Sequence, residues 1–308
     1  MRKKTAPGRK MRKPSKKPLT SSHGGNAQKS SRTPVSRGGK AQKSSRASVS
    51  RAGKPTLWDQ ASRWYDSLVG MSGSDYHRTI LMPGVLRMLE LKAGRCVLDL
   101  ACGQGVLSRY LLQKKLKPEG LDSSEQLLRM ARSRSEKSIP YHLGNAGDTA
   151  ILEGKKFDGV ACILAVQNME NIESVLKNVA RWLKPSGKFV MVLTHPCFRI
   201  PRQSNWGWDG DKKTGYRRID RYANEMEIPI LTPPFVDKDN FTMTYHRPLQ
   251  SYFSALLKAG LCVDSMEEWV SDKESEPGKR SRGENRARKE IPLFMAMRAV
   301  QSANKNKE

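Results

Sequence analysis

The sequence predicts an α/β protein whose parallel sheet is covered by helices on both faces. Three observations carry that expectation. Short apolar runs alternate with segments of helical spacing between residues 95 and 193, the order produced by repeated βα units. Runs such as Val97-Leu98 and Val190-Met191-Val192-Leu193 are apolar without alternation, which fits strands buried on both sides. A loop of small residues, Asp99-Leu100-Ala101-Cys102-Gly103-Gln104-Gly105, follows the first strand and precedes a helix, the context in which a nucleotide-type loop works.

Order is expected to begin near Leu57. Trp58, Ala61, Trp64, Tyr65 and Leu68 recur at helical spacing and predict a helix over Trp58–Leu68. A second helix is expected over Pro83–Leu91, with the proline near its start. Arg95–Leu100 reads as a strand and Gly105–Lys115 as a helix. Glu119–Leu121 is a short strand, and Ser123 or Ser124 caps a helix running to Arg134. Tyr141–Leu143 and Phe157–Val166 read as strands. Ile172–Leu183 reads as a helix that stops at Lys184-Pro185-Ser186-Gly187, and Lys188–Leu193 is the next strand. The stretch from His195 to Tyr245 lacks strong periodicity and is long for a passive loop. Leu249–Ala259 is helical, and Leu261–Val270 and Pro292–Val300 are two further strands. The charged linker between them, with the basic cluster Lys279 to Lys289, reads as a solvated loop.

Charge divides the chain differently. The 308 residues carry a formal charge of +26. Residues 1–55 hold 17 of the 56 Lys and Arg, with no Asp, Glu or aromatic residue. Such a segment buries too little apolar surface to offset its ordering entropy, so disorder is expected. Within it Gly24–Arg37 recurs as Gly38–Arg51 with 11 of 14 positions identical. A polar repeat of that length has no face to stack. It offers nonspecific contact with nucleic acid or another anionic surface, or it is a solvated duplication. A nuclear or organellar address is the alternative for so basic a leader. The other 39 basic and 30 acidic residues leave the body at +9. The expected division is a basic tail over 1–55, one domain over 56–300 with an insertion at 196–245, and a short tail at 301–308.

No apolar run is long enough for a membrane span. Cys96, Cys102, Cys162, Cys197 and Cys262 match no zinc spacing, so no metal is expected, and reduced thiols in a cytoplasmic setting are the simple reading.

The chemistry is concentrated in the loop after the first strand. Small residues at Ala101, Gly103 and Gly105 let backbone approach a ligand closely. Asp99 can pair with a cationic amine. Asp122 stands about 20 residues beyond the loop, where an acid binds ribose hydroxyls. Ser108 stands where a dinucleotide fingerprint would need Gly or Ala. Two carboxylates around a glycine loop suit an adenosine that carries an amine and no phosphate.

Asp99 to Gly105 resembles the first motif of class I S-adenosylmethionine-dependent methyltransferases, in the form with Ala in place of the first Gly. Gly120-Leu121-Asp122-Ser123-Ser124 resembles their ribose motif, and Gly144-Asn145-Ala146 their adenine turn, with Asn145 in place of Asp. Phe157-Asp158-Gly159-Val160 through Met169, and Leu183 through Lys188, resemble the fourth-strand and pre-fifth-strand motifs. The resemblance spans roughly 57–300 and is closest to the ubiquinone/menaquinone-biosynthesis-like group, type 11. It implies a Rossmann-like seven-stranded sheet, mostly parallel with the last strand antiparallel, and S-adenosyl-L-methionine as cofactor. The cofactor residues it implies are Asp99, Ala101, Cys102, Gly103, Gly105, Asp122, Ser123, Asn145, Ala146 and Leu164, with Tyr65 either at the methionine end or on a buried helix face.

Acceptor-side candidates lie outside those motifs. His195 follows the fifth strand and would face the crevice or cap a turn before Pro196. His77 and His246 are the other catalytic candidates, each against a surface or turn role. Trp206, Trp208, Asp209, Tyr216 and Arg217 form an aromatic and arginine-rich lid for a planar or anionic acceptor, or pack the insertion on the sheet. The favoured function is methyl transfer to a small organic acceptor. An RNA, DNA or protein methyltransferase docked by the tail is the second reading, although Ala165-Val166-Gln167-Asn168 lacks the Pro-Pro tetrad of base-amine enzymes. A binding protein on the same fold is the third.

Overall fold

The computed structural model describes residues 56–231 and 241–302. The basic repeat over 1–55, its expected disorder and most of the 301–308 tail lie outside the described residues. Helix α1 (Leu57–Val69) starts at Thr56, whose hydroxyl accepts the Asp59 N–H while the Asp59 carboxylate accepts the Thr56 N–H. This reciprocal cap satisfies donors the first helical turn cannot. A π-helical turn, His77–Leu81, leads into α2 (Met82–Leu89), which ends at Glu90 in left-handed backbone (φ 50°).

Strands β1 (Cys96–Leu100), β2 (Lys117–Asp122), β3 (Tyr141–Leu143), β4 (Phe157–Ile163) and β5 (Leu183–Thr194) are parallel, separated by α3 (Val106–Gln113), α4 (Glu125–Arg134) and α5 (Ile172–Trp182). After α6 (Leu249–Lys258), β10 (Leu261–Trp269) and β11 (Phe294–Gln301) complete a seven-stranded sheet in the order β10-β11-β5-β4-β1-β2-β3. The last strand, β11, runs antiparallel to both neighbours, β5 and β10.

Successive strand residues face opposite cores, as the unbroken apolar runs require. Leu98, Leu100, Cys162, Met191 and Leu193 pack with α5 and α6. Val97, Ala161, Val190 and Val192 pack with α2 and α3.

The structure departs from the sequence reading in four places. Strand β4 stops at Ile163, because Leu164 takes left-handed backbone (φ 53°) and Val166–Asn168 closes a 3-10 turn. Strand β5 begins at Leu183, and Lys184–Gly187 is an interruption in its register with β4 rather than a preceding turn. The insertion is two antiparallel hairpins, β6 (Ser204–Asp209) with β7 (Thr214–Ile219), and β8 (Met226–Leu231) with β9 (Phe241–His246). The basic linker forms α7 (Ser281–Glu290), which buries only Gly283 and Ala287. Two small residues make no apolar stripe, so its period was invisible. Among the described residues no helix is long and apolar enough to cross a membrane, and all five cysteines are free thiols.

Candidate active site

A cavity of about 480 Å³ is lined by residues at the C-terminal ends of β1, β2, β3 and β4, the edge where open α/β sheets bind ligands. Its floor is the loop after β1. The backbone is left-handed at Ala101 (φ 56°), Gly103 (φ 54°) and Gly105 (φ 79°). At Gly105 a side chain would also collide with the Tyr141 hydroxyl. Ala101 and Leu164 hold left-handed backbone without being glycine, a cost that rigid surroundings must offset.

Asp122 ends β2 at the cavity wall. Its Oδ2 accepts the Gly103 N–H at 2.8 Å and its Oδ1 the Ser124 N–H at 2.8 Å. Asp99 lies buried behind the loop, where its Oδ2 accepts the Ser108 hydroxyl at 2.6 Å. Burial raises both carboxyls from their ordinary range, Asp99 to about 7. Asp122 adds to the rise at Asp99, and Asp59 to that at Asp122. Two under-solvated acids beside one cavity favour a cationic ligand.

The turn after β3 forms one side. Asn145 Oδ1 accepts the Gly147 N–H at 2.8 Å, and Asn178 Nδ2 donates to Ala146 O and Asp148 O at 2.8 and 2.9 Å. The Asn145 amide oxygen in this turn therefore already accepts one backbone bond. Helix α1 forms a second side through Leu57, Trp58 and Tyr65. It is fixed at one end by Asp59, whose Oδ1 accepts the Ser124 hydroxyl at 2.7 Å and the Gln126 N–H at 3.1 Å. At the other end Arg134 binds Asp66 with two nitrogens, and Gln104 Nε2 donates to Gly70 O at 3.0 Å. Burial raises the Tyr65 phenol, with Asp122 and Asp99 adding to the effect, so it stays protonated. Strand β9 supplies a third wall, Met243 and Tyr245. Between them Thr244 Oγ1 donates to Asn168 Oδ1 at 2.9 Å, and Asn168 Nδ2 donates to Leu164 O at 3.3 Å.

Of the residues expected around a cofactor, Tyr65, Ala101, Gly103, Asp122, Ser123, Asn145, Ala146 and Leu164 line this cavity. Asp99, Cys102 and Gly105 belong to the same stretch but are not among the lining residues. The three histidines are elsewhere. His195 is buried, its Nε2–H donating to Glu268 of β10 at 2.7 Å while Nδ1 accepts the Cys197 N–H at 3.2 Å. These bonds tie the turn after β5 to β10, and His195 is not among the residues that line the cavity. His246 Nε2 donates to Tyr222 O at 2.8 Å. His77 bonds the Ser74 hydroxyl at 2.8 Å, and burial pushes its imidazole down to about 4.

The expected lid residues also stand outside the lining. Trp208 packs over Gly283 of α7 beneath Arg280, Asp209 Oδ1 caps the hairpin turn, and Tyr216 covers Gly207. Trp206 and Arg217 join a separate cluster with Arg199. The wall residues Trp58, Asn168, Met243 and Tyr245 were not among the expected site residues. One signal for the β9 pair exists in the sequence, the alternation of Phe241, Met243 and Tyr245.

Residues 98–191 match the family model described as a methyltransferase domain. The chain is 34% identical over 113 residues to the demethylmenaquinone methyltransferase of Tropheryma whipplei, covering 36% of this chain and 46% of that protein. It is 32% identical over 133 residues to the ubiquinone biosynthesis O-methyltransferase of Thiobacillus denitrificans, covering 41% and 56%. The chain thus spans about half the length of these curated relatives. The crystal structure of an S-adenosylmethionine dependent methyltransferase from Mesorhizobium loti superposes with a TM-score of 0.59 at 24% identity, covering 75% of this chain and 99% of that one. The fold is that of class I methyltransferases. The matched stretch holds Asp99, Gly103, Asp122, Asn145 and Leu164, whereas the walls from α1 and β9 lie outside it.

Proposed function

We propose that the chain is an S-adenosylmethionine-dependent methyltransferase acting on a small organic acceptor. The observation that carries this reading is the pair of buried, charge-poor carboxyls, Asp99 and Asp122, on either side of a left-handed glycine loop. Asp122, pinned by two backbone amides, keeps lone pairs for ribose hydroxyls. Gly103 and Ala101 bring backbone against the ligand. Asp99 supplies negative charge from behind the loop. Tyr65 closes the loop from above, its ring 3.3 Å from where a Gly103 Cβ would stand. The cofactor would supply an activated methyl group on a cationic sulfur, so the protein's work is alignment and exclusion of water.

The acceptor side is drawn from Met243 and Tyr245 of β9, an apolar and aromatic wall suited to an organic ring. The names of the two curated relatives, which place them in quinone biosynthesis, support the same class. The three histidines serve packing and turns in this reading. The domain spans 56–300, and the basic stretch 1–55 makes nonspecific contact with polyanions. Five unpaired thiols support a reducing, cytoplasm-like setting.

Calorimetry of the full chain with S-adenosylmethionine tests the cofactor. Saturable binding is expected, and no heat at millimolar cofactor would overturn the proposal. Labelled methyl transfer to a panel of hydroxylated aromatics, compared with RNA and protein substrates, tests the acceptor class. Incorporation into macromolecules alone would overturn the small-molecule reading.

A further inference from the structure

Two arginines flank one indole outside the cavity lining. Arg199 Cζ stands 5.0 Å and Arg217 Cζ 5.1 Å from the Trp206 ring centroid. Both guanidiniums are fastened in the same way. Arg199 donates from Nε to Pro292 O and from Nη2 to Ile291 O, at 3.3 and 3.4 Å. Arg217 donates from Nε to Phe198 O at 3.1 Å and from Nη2 to the Ser204 hydroxyl at 2.6 Å. Each therefore spends Nε and Nη2 on neutral oxygens and leaves Nη1 without a partner among the described residues. Neither Nη1 is among the buried unpaired atoms.

No carboxylate among the described residues balances this charge. Burial and then Arg217 push Arg199 down to about 10, with the Tyr76 phenol partly opposing them. Burial alone acts on Arg217. No ion pair among the described residues includes either arginine, so both charges are available to an anion. Trp206 keeps 42% of its surface exposed between them. A guanidinium fixed by carbonyls and stacked on a ring is pre-organised, and it loses little entropy on gripping an oxyanion.

Position ties this cluster to the crevice. Arg199 lies five residues beyond Thr194, the last residue of β5, and it bonds to Ile291 and Pro292 just ahead of β11. Because β5 is parallel to β4 and β1, that is the edge of the sheet at which the cavity opens.

We propose that Arg199, Trp206 and Arg217 form an oxyanion site that holds a carboxylate or phosphate of the methyl acceptor. This rests on the methyltransferase reading for the word acceptor, while anion binding itself does not. The acceptor is then an organic molecule with a negatively charged group remote from its methylated atom. The Arg-Trp-Arg clamp sets orientation, and β9 faces the reacting end.

Emission of the full chain, titrated separately with benzoate, phenyl phosphate and benzyl alcohol, tests the site. The tail holds no aromatic residue, so an emission change reports on the body. Saturable change with one of the anions and none with the alcohol is expected, and which anion binds distinguishes carboxylate from phosphate. Arg217→Met should weaken that binding at least tenfold, Arg217→Lys less, and the exposed Arg202→Met not at all. Trp206→Phe should keep the melting temperature and lose the signal. Thermal melts of each variant confirm folding. Equal binding of all three probes, no saturable binding, or an unchanged Arg217→Met would overturn the site. Calorimetry with S-adenosylmethionine reads the cofactor reading separately, so either can fail alone.

Discussion

Asp122 accepts the Gly103 amide proton across 2.8 Å, so the ribose-side acid and the glycine loop are one unit. Asp122→Ala removes the acceptor for ligand hydroxyls and also strands the buried N–H groups of Gly103 and Ser124. Each unpaired buried group costs about 1–3 kcal/mol. Calorimetry with S-adenosylhomocysteine should show affinity reduced by about 10–100-fold, together with a lower melting temperature. Affinity within twofold of the parent would remove Asp122 from the site.

Asp99 makes the unliganded protein sensitive to pH. Its carboxyl is raised to about 7, with burial the largest cause, so the folded state holds a proton that the unfolded chain releases near its ordinary value. The stabilisation from that proton is complete below pH about 4 and is lost as pH rises toward 7. Asp99→Asn still accepts the Ser108 hydroxyl and never ionises. The stability of the variant relative to the parent, read from thermal melts, should differ little at pH 4 and should grow through pH 7, reaching a few kcal/mol in order of magnitude. A constant offset across that range would refute the buried, protonated Asp99.

The parts of the site that could be read from the sequence are local in the chain. Asp99 to Gly105 follows an apolar strand and precedes a helix, and Asp122 sits at the next strand end, so spacing alone placed them together. Two further facts needed the folded chain. That Asp99 backs the loop while Asp122 faces the cavity depends on where α3 delivers Ser108. That His195 turns away depends on Glu268, 73 residues later, arriving on β10. The hairpins escaped notice because their strands are short and largely half-exposed. Only short alternations such as Phe241, Met243 and Tyr245 mark them, six residues or fewer at a time. Trp206 and Arg217 drew attention as an aromatic and basic patch. Arg199, their fixed partner, belongs to the turn after β5 and carried no signal of its own.

His195 holds a turn, and its variants should separate stability from ligand binding. Burial lowers the imidazole below its ordinary value, with Glu268 partly opposing. The neutral ring is therefore the folded form. Its contribution is present above pH about 6.5 and is lost as pH falls through the lowered value. His195→Ala strands the Cys197 N–H and empties a buried site, so stability should fall by about 1–3 kcal/mol. Affinity for S-adenosylhomocysteine should stay within twofold. A loss of turnover in a variant that melts like the parent would return His195 to a catalytic role.

Thr244 latches the β9 wall to the loop after β4. Its hydroxyl donates to Asn168, and Asn168 in turn donates to the carbonyl of Leu164, a cavity residue held in left-handed backbone. Thr244→Val keeps shape and β propensity, removes one donor and leaves the Asn168 oxygen to find water. The loss is worth about 1 kcal/mol, close to fivefold in an equilibrium. Because β9 is the wall and Leu164 the contact, the loss should fall on release of the ligand. Stopped-flow dissociation of S-adenosylhomocysteine should speed up severalfold while association is unchanged, and Thr244→Ser should restore the slow rate. If Thr244→Val releases ligand at the parent rate, the strand is a passive neighbour of the cavity, and the bonds that Asn168 and Gln167 donate to Leu164 O hold the loop without it.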